Sequence, residues 1–363
     1  MTQTARASSA AASDAKILRR LSTLDRYLPL WIFAAMAGGI LLGRIYPTLG
    51  AALDRVQLAG VSVPIAVGLL WMMYPVLAKV RYETIGQHAS DTKLISTSLV
   101  LNWVVGPLLM LGLAWLFLPD MPAYRNGLVL IGLARCIAMV LIWNSLARGS
   151  GELAAVLVAL NSVFQIITYS VLGWLFLTVV PGWFGADTTT LNVSMGQIAK
   201  SVGIFLGVPL VAGYLTRKTL VARKGAAWYD GVFMPKFGPT ALFGLLYTIV
   251  LMFAMQGHRI LELPLDVVRI ALPLLAYFAL MFSFAFWLSR RLGFNYETTA
   301  SLSFTAAGNN FELAIAVAIA TFGISSGEAL AAVVGPLIEV PALVALVYAS
   351  LWARRRFFAG EPA

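Results

Sequence analysis

"GLARCIAMVLIWN", residues 132–144, decides the fold, because it places an arginine, the only cysteine of the chain and an asparagine inside an otherwise apolar stretch. Polar side chains at membrane depth face the interior of a helix bundle or a water-filled cavity. Irregular backbone is tolerated there under the same condition. The stretch therefore predicts an interrupted membrane helix that faces a functional cavity.

The composition of the whole chain agrees with this interpretation. Of the 363 residues, 60% are hydrophobic and 12% are charged, whereas soluble domains carry about 25% charged residues. Apolar runs long enough to cross a bilayer recur along the sequence, and they predict an all-α polytopic membrane protein. We expect ten transmembrane helices, at residues 28–47, 61–80, 94–118, 126–147, 154–180, 197–215, 239–256, 265–289, 297–321 and 329–353. The loops between them are too short to fold alone, so function is expected within the bilayer.

The distribution of charge predicts the orientation. Most of the 26 lysines and arginines lie at one set of span ends, and six lie at the other: Arg44, Arg55, Arg125, Lys200, Arg259 and Arg269. The positive-inside rule then places both termini in the cytoplasm, in a bacterial-type plasma membrane. Residues 1–24 are polar and basic without the apolar core of a signal peptide, so we expect a flexible cytoplasmic tail. Residues 354–363 form a second, short cytoplasmic tail.

The same features exclude several classes of protein. The basic residues lie between apolar spans, where they set topology, so nucleic-acid binding is not expected. A single cysteine excludes an intramolecular disulfide, and no His/Cys cluster is present to hold a metal. Both histidines lie in loops and no nucleophile–base pair is visible. We expect neither a cofactor nor an enzyme.

A weak internal repeat appears when the chain is shifted by 176 residues. Gly68 then falls on Gly244, Gly132 on Gly308, and the pair "GE" at 151–152 on the pair at 327–328. At this offset Cys136 falls on Glu312. Each half, residues 25–180 and residues 181–353, holds five spans, and an odd number forces the second half to be inverted in the membrane. Secondary transporters share this architecture, with the substrate site at the repeat interface near the midplane.

The counterpart of the opening stretch is "SFTAAGNNFELA", residues 303–314. A carboxylate at the bilayer centre costs at least about 2.5–3.5 kcal/mol, so Glu312 is expected to be paired or protonated for part of the time. It is either a proton- or ion-binding acid or a structural anchor. Asn309 and Asn310 indicate a helix break whose amides could bind a polar ligand, or else a hydrogen-bonded helix contact.

Further polar residues are expected to support this site. Glu339 lies in span ten, and its counterpart at an offset of 174 residues is Gln165 in span five, close to Asn161. Asn144 closes the opening stretch.

Arg135 and Cys136 can each be interpreted in two ways. Arg135 is too deep to snorkel easily, and is expected to pair with a buried acid or to place a positive field on the site. Cys136 alone is typical of a small buried hydrophobe, but a cationic neighbour favours the thiolate, which attacks soft electrophiles.

Four motifs resemble the arsenite efflux carriers of the arsenical-resistance-3 family. They are "GLARCIAMVLIWNSLA" (132–147), "AVLVALNSVFQ" (155–165), "AAGNNFELAIAVAIA" (306–320) and "VVGPLIEVPALV" (333–344). "GLLWMMYPVLAKVRYE" (68–83) is similar to that family's second span, and the resemblance covers about residues 25–353. It implies ten spans in two inverted repeats, with spans four and nine unwound where they cross. Cys136 and Glu312 match the functional pair of the family.

The resemblance implies a substrate and a mechanism. Arsenite is mostly a neutral, thiophilic trihydroxide at neutral pH, and antimonite is a second candidate. One thiol gives a reversible As–S contact, so Cys136 suits a carrier, and Asn309, Asn310 and Glu312 could meet the hydroxyl groups. Alternation of Glu312 between protonated and ionised forms would couple export to proton entry. A homodimer is a candidate assembly.

A sodium-coupled symporter for an organic anion, as in the bile-acid relatives, is the main alternative. In that case the acids and amides near the crossing would hold sodium, and Cys136 would be incidental.

Overall fold

The computed structural model describes residues 27–53, 55–58, 61–82, 91–137, 139–183, 194–262, 264–323 and 326–358. Within these ranges the structure is helical except for two short strands, β1 (Gln57–Leu58) and β2 (Val61–Ser62), which pair antiparallel. The helices are α1 (Leu28–Ile45), α2 (Leu49–Leu53), α3 (Val63–Lys79), α4 (Thr92–Phe117), α5 (Pro122–Leu133), α6 (Val140–Leu146), α7 (Gly151–Trp183), α8 (Met195–Lys224), α9 (226–237), α10 (Thr240–Glu262), α11 (Pro264–Arg291), α12 (Tyr296–Ala307), α13 (Phe311–Phe322) and α14 (Gly327–Phe357).

The helix lengths confirm a polytopic membrane protein. Six helical stretches are long and apolar enough to cross a bilayer: Thr92–Phe117, Gly151–Trp183, Met195–Lys224, Ala226–Met255, Leu265–Arg291 and Gly327–Phe357. Leu30–Ile45, Val63–Lys79 and Phe311–Phe322 are shorter apolar helices. Ten membrane crossings remain a prediction.

Two of the expected spans are interrupted in the middle. The fourth consists of α5 and α6, which are separated by residues 134–139, and the ninth consists of α12 and α13, which are separated by residues 308–310. Side-chain caps explain several helix starts: Ser150 accepts a hydrogen bond from the Leu153 amide, and Ser326 accepts one from the Ala329 amide. These are ordinary N-caps.

The helices pack in two groups. In the first group, α1 and α3 lie against α10, and α8 lies against α3. In the second group, α14 packs against α5 and α11, α4 packs against α5, and α11 packs against α12. Helix α13 belongs to the interrupted ninth span and contacts α14 as well as the start of α8. The boundary between the two groups therefore runs past the interruption at residues 308–310.

The chain ends differ from the expected boundaries. Helix α14 continues to Phe357, so the arginines at 354–356 extend that helix, and Arg354 lies 5.0 Å from the ring centroid of Tyr296. Helix α7 continues to Trp183, past the expected repeat boundary at residue 180. The expected N-terminal tail, residues 1–24, and the last five residues lie outside the described residues.

Candidate functional site

The two interruptions cross each other. Residues 134–136 and 308–310 run antiparallel: the Cys136 amide donates to the Gly308 carbonyl (3.2 Å), and the Asn310 amide donates to the Ala134 carbonyl (3.0 Å). Backbone groups in a membrane interior need such partners. Each broken helix thus satisfies the exposed backbone of the other.

The crossing has a register of 174 residues. Its two backbone hydrogen bonds relate Ala134 to Gly308 and Cys136 to Asn310. The equivalence of Cys136 with Glu312, drawn from an offset of 176, is therefore wrong at this point. The two gaps differ in length: α6 begins at residue 140 and α13 begins at residue 311. Residues that precede the crossing and residues that follow it consequently obey different offsets.

Asn309 caps the carbonyl end of α5. Its side-chain amide donates to the carbonyls of Ile131 (2.8 Å) and Ala134 (3.3 Å). Tyr169 adds a hydrogen bond from its hydroxyl to the Leu130 carbonyl (3.0 Å). The last carbonyls of a helix have no partner within that helix, and these side chains supply one.

Arg135 is fully buried at the same place. Its guanidinium donates to the Tyr277 hydroxyl (2.9 Å), to the Ala306 carbonyl (3.2 Å) and to the Gly132 carbonyl. The expectation of a carboxylate partner is not met, since the ion pairs among the described residues involve other arginines. The cation instead faces the carbonyl ends of α5 and α12, where the helix dipoles are negative.

Gln165 and Glu339 reach the crossing from spans five and ten. The Gln165 side-chain oxygen accepts a hydrogen bond from the Arg135 backbone amide (2.8 Å). The Glu339 carboxylate lies near the Asn309 backbone amide, and is close enough to Glu312 for mutual repulsion. Both relations follow the 174-residue register, because Arg135 corresponds to Asn309 and Gln165 to Glu339. The structure thus brings these two expected residues to equivalent places.

Glu312 occupies the first turn of α13, just after the N-cap residue Asn310. The Asn310 side-chain oxygen accepts from the Leu313 amide (3.0 Å), while its buried side-chain nitrogen has no hydrogen-bond partner in the described structure. Glu312 lines a cavity of about 460 Å³ between the two helix groups, and Lys79 and Asp230 also line it. Cys136, 2% exposed, lies behind the crossing.

Asn144 and Asn161 lie apart from this cavity. Asn144 donates to the Ser150 carbonyl (3.0 Å) and accepts from the Ser301 hydroxyl (2.9 Å), which ties the end of α6 to α12. Asn161 donates to the Asn102 side chain (3.4 Å) one turn before Gln165. Their contacts indicate structural support rather than direct lining of the cavity.

Three residues of the crossing were not anticipated from the sequence: Asn102, Gly106 and Tyr277. Asn102 is an amide within an apolar span and could have been found by the reasoning that selected Asn161. Tyr277 resembles the other aromatic residues of the chain, and Gly106 one of its 31 glycines. Only the fold shows that both contact the Arg135 guanidinium.

Comparison with known proteins gives consistent similarities. The Sodium Bile acid symporter family matches residues 66–263. The chain is 54% identical to the arsenical-resistance protein Acr3 of Corynebacterium glutamicum, over 94% of this chain and 93% of that protein. It is 34% identical to the arsenical-resistance protein Acr3 of Alkaliphilus metalliredigens, over 92% and 94% of the two chains. It is also 35% identical to an uncharacterised transporter of Synechocystis, over 90% and 88%.

Proposed function

Because this chain belongs to the Acr3 family of arsenical-resistance transporters, within the Sodium Bile acid symporter family, we propose that it exports arsenite from the cell in exchange for protons. The family consists of transporters and not of enzymes. One observation carries the proposal. The crossing places the only thiol of the chain, at Cys136, next to the stretch that leads into Glu312, and Glu312 faces the cavity.

Cys136 is the proposed arsenic-binding group. Attack of its sulfur on arsenite forms one As–S bond and releases one hydroxide, which takes the thiol proton and leaves as water. A single bond of this kind is readily reversed by water, whereas several thiols would retain the metalloid. The unpartnered amide nitrogen of Asn310 and the carboxyl of Glu312 are the proposed partners of the remaining hydroxyl groups.

Glu312 is the proposed proton carrier. It lies at the positive N-terminal end of α13, which stabilises its ionised form, while Glu339 repels that form. These opposing influences favour a carboxyl group that changes protonation as the neighbouring groups change. Occupation by a proton and by arsenite would then exclude each other, as antiport requires.

The proposed architecture is ten crossings in two inverted repeats. Equivalent helix contacts support it: α1 on α10 corresponds to α8 on α3, and α5 on α14 corresponds to α12 on α7. The pairing of α4 with α5 likewise corresponds to that of α11 with α12. Discontinuous helices at corresponding places of two repeats are typical of secondary transporters.

The proposed orientation places the cavity mouth at the cytoplasm, together with both termini, in a bacterial inner membrane. Lys79 and Asp230 line the mouth, and the basic end of α8 lies on the same side, where Arg217 donates to Asp230 (3.0 Å). An excess of basic residues marks the cytoplasmic side. Glu312 is then accessible from the side on which arsenite is collected.

The test is arsenite flux into proteoliposomes driven by a pH gradient. Cys136→Ser and Glu312→Gln should each reduce the flux at least about tenfold, the effect of losing roughly 1.4 kcal/mol in the limiting step. Glu152→Gln, which alters an exposed acid at the start of α7, is the matched control and should transport like the wild type. Normal flux in either site variant would contradict the proposed mechanism.

A sodium arm of the same experiment addresses the alternative. Flux that follows a sodium gradient and ignores pH would favour an organic-anion type of symport. Competition with antimonite tests the second substrate. Native mass spectrometry of the purified protein tests the proposed homodimer.

A further inference from the structure

The carbonyl ends of two half-helices converge on one charged group. Helix α5 ends at Leu133 and α12 ends at Ala307, which are 174 residues apart. The Gly132 and Ala306 carbonyls, also 174 residues apart, both accept hydrogen bonds from the Arg135 guanidinium. In transporters with discontinuous helices, such carbonyl ends are where a coupling cation is coordinated.

The contacts of Arg135 are those of a coordinated cation rather than of an ion pair. Beyond the two carbonyls, its guanidinium donates to the Tyr277 hydroxyl (2.9 Å), and the ion pairs of the described residues do not include it. Its charge is therefore balanced by neutral oxygens and helix dipoles. These are the ligands that hold a small monovalent cation.

The space around the guanidinium is fitted to it. A Cβ on Gly106 would lie 2.7 Å from the Arg135 Nη1 atom and 3.1 Å from the Tyr277 hydroxyl oxygen. Gly106 follows the π-helical turn Leu101–Val105 of α4, a backbone irregularity common at functional sites. Removal of the arginine side chain would leave an oxygen-lined space of about the same size.

We propose that Arg135 is a tethered cation, which permanently occupies a carbonyl-lined site that would otherwise bind a monovalent cation such as sodium. This deepens the proposed proton-coupled export, on which its functional meaning rests. A transporter that carries this cation in its own chain has no need of sodium, although the family that it belongs to is named for sodium symport.

The test is thermal unfolding of the purified protein in sodium chloride, choline chloride and methylguanidinium chloride, without arsenite. Wild type and Arg135→Lys should unfold at the same temperature in sodium and in choline. Arg135→Ala and Arg135→Gln should be less stable in choline, and sodium or methylguanidinium should raise their Tm by about 2 °C or more, because a ligand of the native state stabilises it.

The control is Arg125→Gln. Arg125 is also buried in the interrupted fourth span, donates to the Pro119 carbonyl (3.1 Å) and stacks on Trp115. It lies at the other end of α5, away from the converging carbonyls. This variant should lose stability by the same amount in sodium and in choline.

Three results would overturn the inference. One is an equal Tm of the neutral Arg135 variants in all three salts. Another is a wild type that sodium stabilises as much as it does the variants. The third is loss of both neutral variants in every salt while Arg135→Lys is recovered. None of these measurements uses arsenite, so failure here leaves the proposed export standing, and failure of export leaves this site standing.

Discussion

At the scale of single residues, the crossing depends on close approach of two backbones. A Cβ on Gly308 would lie 2.9 Å from the Cys136 Cβ and 3.6 Å from its Sγ. Gly308 has φ −70°, a value open to any residue, so space and not conformation requires glycine here. The thiol is held in place by the absence of a side chain opposite it.

Gly308→Ala should therefore destabilise the protein. Overpacking of a filled interior costs about 1–3 kcal/mol, which predicts a Tm decrease of roughly 2–8 °C for a chain of this size, measurable in a thermal scan. Gly112→Ala is the matched control, because a Cβ there meets nothing within 4 Å. An equal Tm for the two variants would contradict the close packing of the crossing.

At the scale of elements, α13 combines two roles in one residue at its start. The oxygen of the Asn310 side chain caps the helix, whereas its nitrogen is buried without a partner in the described structure. An unsatisfied buried donor is costly, and a ligand hydroxyl would satisfy it. Stability and transport should thus depend on different atoms of the same side chain.

Asn310→Ser separates these roles. Serine is an equally good N-cap, so we expect the Tm to stay close to that of the wild type while arsenite flux falls at least about tenfold, by loss of one ligand hydrogen bond of about 1.5 kcal/mol. Asn310→Ala should lose both, with about 1 kcal/mol of stability.

The control for this pair is Asn295→Ser at the exposed N-cap of α12, whose side chain accepts from the Thr298 amide (2.9 Å). It should change neither property. Full flux in Asn310→Ser would mean that Asn310 acts as a cap alone.

At the scale of the whole molecule, the space between the two helix groups is open towards one end. Along α3 and α10, the 460 Å³ cavity contacts Lys79 and Ala241. A much smaller space of about 20 Å³, lined by Leu69 and Thr248, lies further along both helices beyond Glu312. Glu312 borders both spaces, so it lies at the boundary between the open path and the closed one. Motion of one group against the other would exchange them.

Cysteine labelling tests this asymmetry in a Cys136→Ala background, which leaves no other thiol in the chain. Ala241→Cys should react with a membrane-impermeant maleimide added to the cytoplasmic face. Thr248→Cys, 2% exposed in the wild type, should be protected from both faces. Rapid labelling at position 248 from the outside would show that the path opens in the opposite direction.

The sequence alone determined the class of the protein, because hydrophobic length and charge asymmetry are local properties that the bilayer selects directly. It also located both helix interruptions, since Arg135, Cys136, Asn309, Asn310 and Glu312 stand out wherever an apolar run is expected. The family followed from the motifs around them. These conclusions need no knowledge of which segments touch.

Only the tertiary structure decided how the interruptions meet. The backbone hydrogen bonds at the crossing join residues more than 170 positions apart, and their register depends on the unequal lengths of the two gaps. That register pairs Cys136 with Asn310 instead of Glu312. It also gives Arg135 carbonyl partners from both half-helices instead of a carboxylate. Periodicity within one segment carries no information about such partners, because packing between distant segments selects them.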